Sequence, residues 1–192
     1  MRKAEEYYEN TQMLPPCNNV KYFINLKNKP AKAVELGCGA GRDTVFLIKS
    51  GWEVLAIDKE NTEGIIKNKL TDEEQKKFKF QMQAFEKLEL PQNNLVVANY
   101  SLSFCNKTNF NKMWKTIADS IELQGYFVGN FFGVNDEWTK TQPDMTFLNK
   151  KQVQELFVNF EIIEFKEVEK DGTTALGANK HWHIFWVIAK KI

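Results

Sequence analysis

Apolar and polar residues change their spacing several times along this chain, and the changes mark its elements. Ala33–Leu36 is a short apolar run of strand length that ends in a glycine-rich turn. Asp43–Ser50 then follows helical spacing and stops at Gly51, where a left-handed cap residue is favoured. Glu53–Ile57 predicts a second strand, with Asp58 at its end, and Thr62–Leu70 a second helix. Phe78–Gln83 alternates apolar and polar residues, as a half-covered edge strand does, whereas "NLVVANY" predicts a strand buried on both faces. Phe110, Met113, Trp114, Ile117 and Ile121 fall on one helical stripe, and Gly125–Phe132 predicts another strand.

The last third changes character. "MTFLNKKQVQELF" contains a helix with Asn149 as its cap. "FEIIEFKEVEKDG" and "KHWHIFWVIAKKI" predict two strands with no helix between them, joined by a turn at Asp171-Gly172 and an irregular segment. Strands alternating with helices argue a parallel α/β sheet, and the late pair argues an antiparallel edge. The expectation is one domain over residues 1–192, doubly wound and Rossmann-like. Its seven-stranded sheet is mostly parallel with an antiparallel last strand, and helices cover both faces.

Composition narrows the partners. Lys+Arg 26 against Asp+Glu 25 leaves a formal charge of +1, which gives no broad pull on nucleic acid or an anionic membrane. Lys67, Lys69, Lys76, Lys77 and Lys79 cluster in sequence and read as a solvated face. "MRKAEEYYENTQM" lacks an apolar signal core, and no run reaches the roughly 18 apolar residues of a membrane span. Cys17, Cys38 and Cys105 are odd in number and scattered, so they read as reduced thiols rather than a disulfide or zinc framework. A cytoplasmic protein without a metal is expected.

The chemistry concentrates in "AVELGCGAGRDTVFLIKSG", residues 33–51. Its glycines, Gly37, Gly39 and Gly41, are spaced G-x-G-x-G, and Arg42 stands where a nicotinamide fingerprint needs its third glycine. Gly41-Arg42-Asp43 is not a Walker ending either. Glu35 and Asp43 make a poor setting for pyrophosphate but a good one for a cationic, phosphate-free nucleoside. S-adenosylmethionine carries an ammonium, a sulfonium and an adenosine. Glu35 can accept from its ammonium, directly or through water, and the glycines let backbone approach closely. Asp58, at the end of the second strand, is placed to accept both ribose hydroxyls.

These residues carry a family resemblance. "VELGCGAGRD", the "AID" at the next strand end and "ANYSLSFC" after the fourth strand resemble a class I S-adenosylmethionine-dependent methyltransferase. More narrowly, "GCGAGRDTVFL", "FFGVNDEW", "DGTTALG" and "KHWHIF" resemble the small bacterial tellurite-resistance methyltransferases, over roughly residues 30 to 192. The resemblance implies a seven-stranded sheet whose antiparallel last strand sits beside the fifth, and methyl transfer to a small molecule. Carried over residue by residue, Glu35, Gly37, Cys38, Gly39 and Gly41 form the cofactor turn, and Asp58 is the ribose acid. The usual aspartate after the third strand is absent, which leaves Gln83 and the Phe85 backbone for adenine, and the Asn99 carbonyl faces the methionine ammonium. Asn99-Tyr100-Ser101-Leu102 lacks the paired prolines of enzymes that methylate nucleobase or glutamine amides.

Candidates for the acceptor side follow from position. A final antiparallel strand starts at the ligand edge of the sheet, so His181 is expected near the cofactor as a base or an orienting group. By the period of two, His181, His183 and Phe185 share one face, and Trp182, Ile184 and Trp186 the other. The polar loop Phe132–Asp144 offers Asp136 as a second catalytic candidate, with Trp138 and Asn130 beside it. Residues 1–29 are expected to contain a helical segment over the cofactor, with Tyr8 or Tyr7 at its inner surface. A thiol or metalloid oxyanion would need little base catalysis. The alternatives are methylation of a protein or nucleic acid, and a protein that binds S-adenosylmethionine without catalysis.

Overall fold

The computed structural model describes residues 2–26 and 28–192, with side chains in the first helix from Glu6 onward. Seven strands form one sheet: β1 (Lys32–Leu36), β2 (Glu53–Asp58), β3 (Phe78–Met82), β4 (Asn93–Ala98), β5 (Ile121–Phe132), β6 (Phe160–Thr173) and β7 (Asn179–Lys191). Their order across the sheet is β3-β2-β1-β4-β5-β7-β6. Strands β1 to β5 pair in parallel, and β7 pairs antiparallel with both β5 and β6. The expected doubly wound sheet, its half-exposed edge at β3 and the insertion of the last strand beside the fifth are all present.

Among the described residues eight α-helices accompany the sheet, two before β1 and six between strands: α1 (Arg2–Thr11), α2 (Asn18–Asn25), α3 (Arg42–Lys49), α4 (Glu63–Lys67), α5 (Asp72–Gln75), α6 (Lys107–Ser120), α7 (Trp138–Thr141) and α8 (Lys150–Leu156). The apolar stripe of α6 and the inner side of α8 bury against one face of the sheet, where Trp114, Phe127, Phe131 and Phe157 pack together. Val20 and Phe23 of α2, Leu47 and Ile48 of α3, and Ile66 of α4 cover the other face. Each Phe or Leu so buried contributes about 1.5–3 kcal/mol, so the two layers fix the strand ends that carry the chemistry.

Three sequence expectations need correction. The helix expected over Thr62–Leu70 ends early, at Lys67, and a separate helix, α5, starts beyond it where Thr71 and Glu74 form a capping box. Strand β5 begins at Ile121, four residues before Gly125, and takes the last position of the predicted helical stripe. Asp171-Gly172 is no turn. Both residues lie inside β6, opposite His181 and Lys180, and the chain reverses over Thr174–Ala178 with Gly177 at φ +79°. Asn149 caps α8 as expected, with its side chain accepting from the Gln152 N–H. One irregularity breaks the β6–β7 ladder: Ile162 faces Ala189 and Glu164 faces Ile188, leaving Ile163 as an extra, unpaired residue.

Candidate active site

The carboxyl ends of β1, β2 and β4 converge on the glycine turn. Strand β1 delivers Glu35 and β2 delivers Asp58, both nearly buried at 4% and 8% exposure. Gly37, Gly39 and Gly41 all have positive φ. At Gly37 any side chain would collide with Ser101, and at Gly41 a Cβ would stand 2.5 Å from Ile66. The turn therefore requires glycine for space as well as for backbone angle. Above Gly39 the nearest atoms are the rings of Tyr8 and Tyr7, at 3.7 and 4.0 Å from a built Cβ.

The acids are held individually. Asp58 accepts from the Gly39 N–H at 2.8 Å, the Glu60 N–H at 3.1 Å and the Tyr8 hydroxyl at 3.4 Å. Glu35 accepts from the Thr44 hydroxyl. Burial drives the Glu35 pKa well above the ordinary carboxylate range, and Asp43 adds to that rise, while the Thr44 bond and Arg42 oppose it. Burial also raises the Tyr8 phenol, with Asp58 contributing. Asp43 opens α3 and accepts from the Cys17 N–H at 2.7 Å and from Asn99 at 2.8 Å. Asn99 in turn accepts from Asn19 at 2.7 Å. The network ties the N-terminal segment to the ends of β1 and β4.

One buried group inside this frame is unsatisfied. Ser101 Oγ, directly against Gly37, has no hydrogen-bond partner among the described residues. An orphaned hydroxyl beside backbone that tolerates only glycine, in a turn that also carries buried carboxylates, fits a polar ligand with cationic groups. These residues suit the ammonium and ribose of S-adenosylmethionine.

The other candidates lie in different surroundings. The Gln83 amide donates to the Lys87 carbonyl at 2.6 Å, its N–H donates to the Asp58 carbonyl at 2.8 Å, and Phe85 packs on the α6 side of the core. Cys38 is buried, with its thiol 3.7 Å from the Thr62 hydroxyl. Asp136 is fully buried and ion-paired with Lys180, and it also accepts from the Trp138 and His183 N–H groups. The Lys180 ammonium stands 3.7 Å from the centre of the Trp182 ring and 4.4 Å from that of Trp138. His181 bonds Asp171 at 2.7 Å and Glu169 at 3.2 Å, which raise its pKa. His183 is buried beside Phe185, as the strand period predicts, while Trp182 and Trp186 turn to Tyr100. Neither Asp136 nor His181 shares a hydrogen bond with the acids of the glycine turn.

Sequence reasoning did not single out Thr44, Ser101, Lys180 or Asn19. Thr44 was accessible to it, since it lies nine positions beyond Glu35 in the first helix turn. Ser101 and Asn19 reach the site only through tertiary contacts.

The strand order, with β7 antiparallel between β5 and β6, is a fold this chain shares with solved S-adenosylmethionine-binding methyltransferases. The fold superposes on TehB from Haemophilus influenzae with a TM-score of 0.75 at 17% identity, covering 92% of this chain and 62% of that one. The chain thus spans less than two thirds of that relative. It also matches the 1,6-didemethyltoxoflavin N1-methyltransferase of Burkholderia thailandensis, solved with 1,6-didemethyltoxoflavin and S-adenosylhomocysteine (TM-score 0.67, 16% identity, 90% and 76% coverage). A third match is the magnesium protoporphyrin IX methyltransferase of Synechocystis with S-adenosylmethionine (TM-score 0.64, 15% identity, 90% and 76% coverage). No curated protein matches the chain significantly. The profile of the tellurite resistance protein TehB family matches residues 1–177, and the chain belongs to that family.

Proposed function

We propose that the protein transfers a methyl group from S-adenosylmethionine to a small-molecule acceptor with a soft nucleophilic atom, such as a thiolate or a metalloid oxyanion. The observation that carries this reading is the convergence of buried Glu35, Asp43 and Asp58 on a turn that admits only glycine, beside the orphaned Ser101 hydroxyl. Bound S-adenosylmethionine supplies a methyl group activated by a sulfonium. Glu35 holds the ammonium, directly or through water, Asp58 accepts the ribose hydroxyls, and Ser101 gains the partner it lacks. Gln83 and Phe85 border the adenine, and the Asn99 carbonyl lies on the methionine side. Helix α1 covers the site, and Tyr8 donates to Asp58 on its inner surface.

A soft nucleophile needs alignment more than a base. That agrees with Asp136 and His181 bonding outside the acidic cluster. The small-molecule acceptors named for the Burkholderia and Synechocystis enzymes support the same substrate scale. No helix among the described residues is long and apolar enough to cross a membrane.

Titration calorimetry tests the reading. S-adenosylhomocysteine is expected to bind, and NAD is not. Asp58→Asn keeps one acceptor oxygen where the Gly39 and Glu60 N–H groups use two, loses the charge, and should weaken nucleoside binding by about 1–3 kcal/mol. Binding of NAD alone would refute the proposal, and an unchanged Asp58→Asn affinity would remove Asp58 from the ribose.

A further inference from the structure

Arg42 has a setting the cofactor reading does not explain. It is half-buried at the start of α3, immediately after the glycine turn. Its guanidinium makes one hydrogen bond among the described residues, to Cys17 Sγ at 2.9 Å, and no carboxylate lies within salt-bridge distance there. Sulfur is a weak acceptor, and a guanidinium carries five donors. Its neighbour Asp43 is spent on the Cys17 N–H and Asn99. A partly desolvated cation with most donors unused is an anion site in waiting.

Beside it stands Tyr100, whose ring centre lies 5.8 Å from the guanidinium carbon. Tyr100 holds φ +54°, an unusual angle for a tyrosine, and its N–H is fixed by Asn130 Oδ1 at 3.0 Å. From Tyr100 a row of incompletely covered rings continues to Trp182 at 6.0 Å, Trp138 at a further 5.6 Å and Phe104 at a further 5.9 Å. Phe104 is 52% exposed and borders an open cleft of about 560 Å³. Lys180 lies over one face of Trp182 and of Trp138, at 3.7 and 4.4 Å, and the half-exposed remainder of the row, ending at Phe104 beside the cleft, is the surface open to a ligand.

We propose that the acceptor is an organic anion with a flat apolar body, its charge held by Arg42 and its body laid along the Tyr100, Trp182, Trp138 and Phe104 row. Of the two acceptor classes proposed above, this selects an organic thiolate over a metalloid oxyanion, because an inorganic oxyanion would use the guanidinium and leave the rings without a role. This inference rests on the methyltransferase reading for the acceptor's role, while the anion site itself stands on Arg42 and the ring row.

Tryptophan fluorescence tests it, using three probes on the S-adenosylhomocysteine-treated protein: 2-naphthoate, its neutral isostere 2-naphthamide, and selenite. Naphthoate should bind about tenfold or more tightly than naphthamide. Arg42→Gln should abolish that preference, Arg42→Lys should keep part of it, and Trp182→Leu should weaken both naphthalenes. Equal binding of the two naphthalenes, no binding of either, or binding of selenite alone would overturn the proposal. So would an Arg42→Gln protein of unchanged melting temperature that keeps the preference. S-adenosylhomocysteine binding is measured separately by calorimetry. Its absence would refute the methyltransferase reading, while the anion site is judged on the naphthoate-to-naphthamide ratio alone.

Discussion

Replacing Glu35 by glutamine should make the empty protein more stable and the cofactor complex weaker. Glu35 is 4% exposed and shares its surroundings with Asp43 and Asp58. Burial, with Asp43 second, raises its pKa above the ordinary 4.5. A group with a raised folded-state pKa contributes stability that is full below its ordinary value and is lost as pH rises through the raised one. At neutral pH the Glu35 carboxylate is therefore a cost to the empty fold. Glutamine matches its shape, keeps an acceptor for the Thr44 hydroxyl and carries no charge. A gain of about 1 kcal/mol would raise the melting temperature by about 2–4 °C in a chain of this size. The gain should shrink as the pH is lowered through the raised pKa, where the folded wild type takes up the proton, and vanish below 4.5, where the unfolded chain is protonated as well. Losing a charge-assisted bond to an ammonium should cost about 1.5–3 kcal/mol of binding, or about 10- to 150-fold in Kd. Scanning fluorimetry across pH reads the first effect, and calorimetry with S-adenosylhomocysteine the second. A variant less stable than wild type at pH 7.5 would refute the argument from burial. Unchanged affinity would refute the ammonium contact.

Two other perturbations probe the β7 edge. Lys180→Met leaves Asp136 charged and buried without its partner, and should cost about 3–5 kcal/mol, seen as a melting temperature about 6–20 °C lower. Adding Asp136→Asn should recover more than half of that loss, and no recovery would mean that the lysine acts through packing on the tryptophans. His181 should titrate above its ordinary 6.5 by NMR, because Asp171 and then Glu169 favour the imidazolium. Its contribution to stability is present below 6.5 and lost as pH rises through the raised value. Asp171→Asn should bring the titration down; if it does not move, Asp171 is not the dominant neighbour.

The core of the fold and the cofactor turn were legible because their signals are local. A strand, three glycines and a helix lie within residues 33–51, and the acid at the next strand end follows from parallel pairing. The G-x-G-x-G spacing with Arg42 excluded a pyrophosphate loop without any tertiary information. Side-chain partnerships were not legible. Asp136 stood out as a loop acid, yet its environment is set by Lys180, 44 positions away, and a buried charge pair leaves no periodic trace. Arg42 read as the opening of a helix, because nothing local reveals that its guanidinium lacks a carboxylate. The Asp171-Gly172 pair carries a strong turn signal, but thirteen pairings of β6 with β7 override it and move the reversal to Thr174–Ala178.

The unpaired Ile163 reaches further than its own position. Past it, every residue of β6 is offset by one against β7, so Glu169 faces His183 and Asp171 faces His181. Had the ladder run on unbroken from Ile162 and Ala189, Val168 would face His183 and Lys170 would face His181. Both histidines would then lose their acidic neighbours, and one would gain a lysine. The looping-out of one isoleucine, some seven strand positions away, thus chooses the sign of the charge beside the histidines. Deleting Ile163 would close the bulge and leave both pairings in place, whereas drawing Ile163 into the ladder opposite Ile188 would rewrite the electrostatics of that edge without altering one ionisable residue.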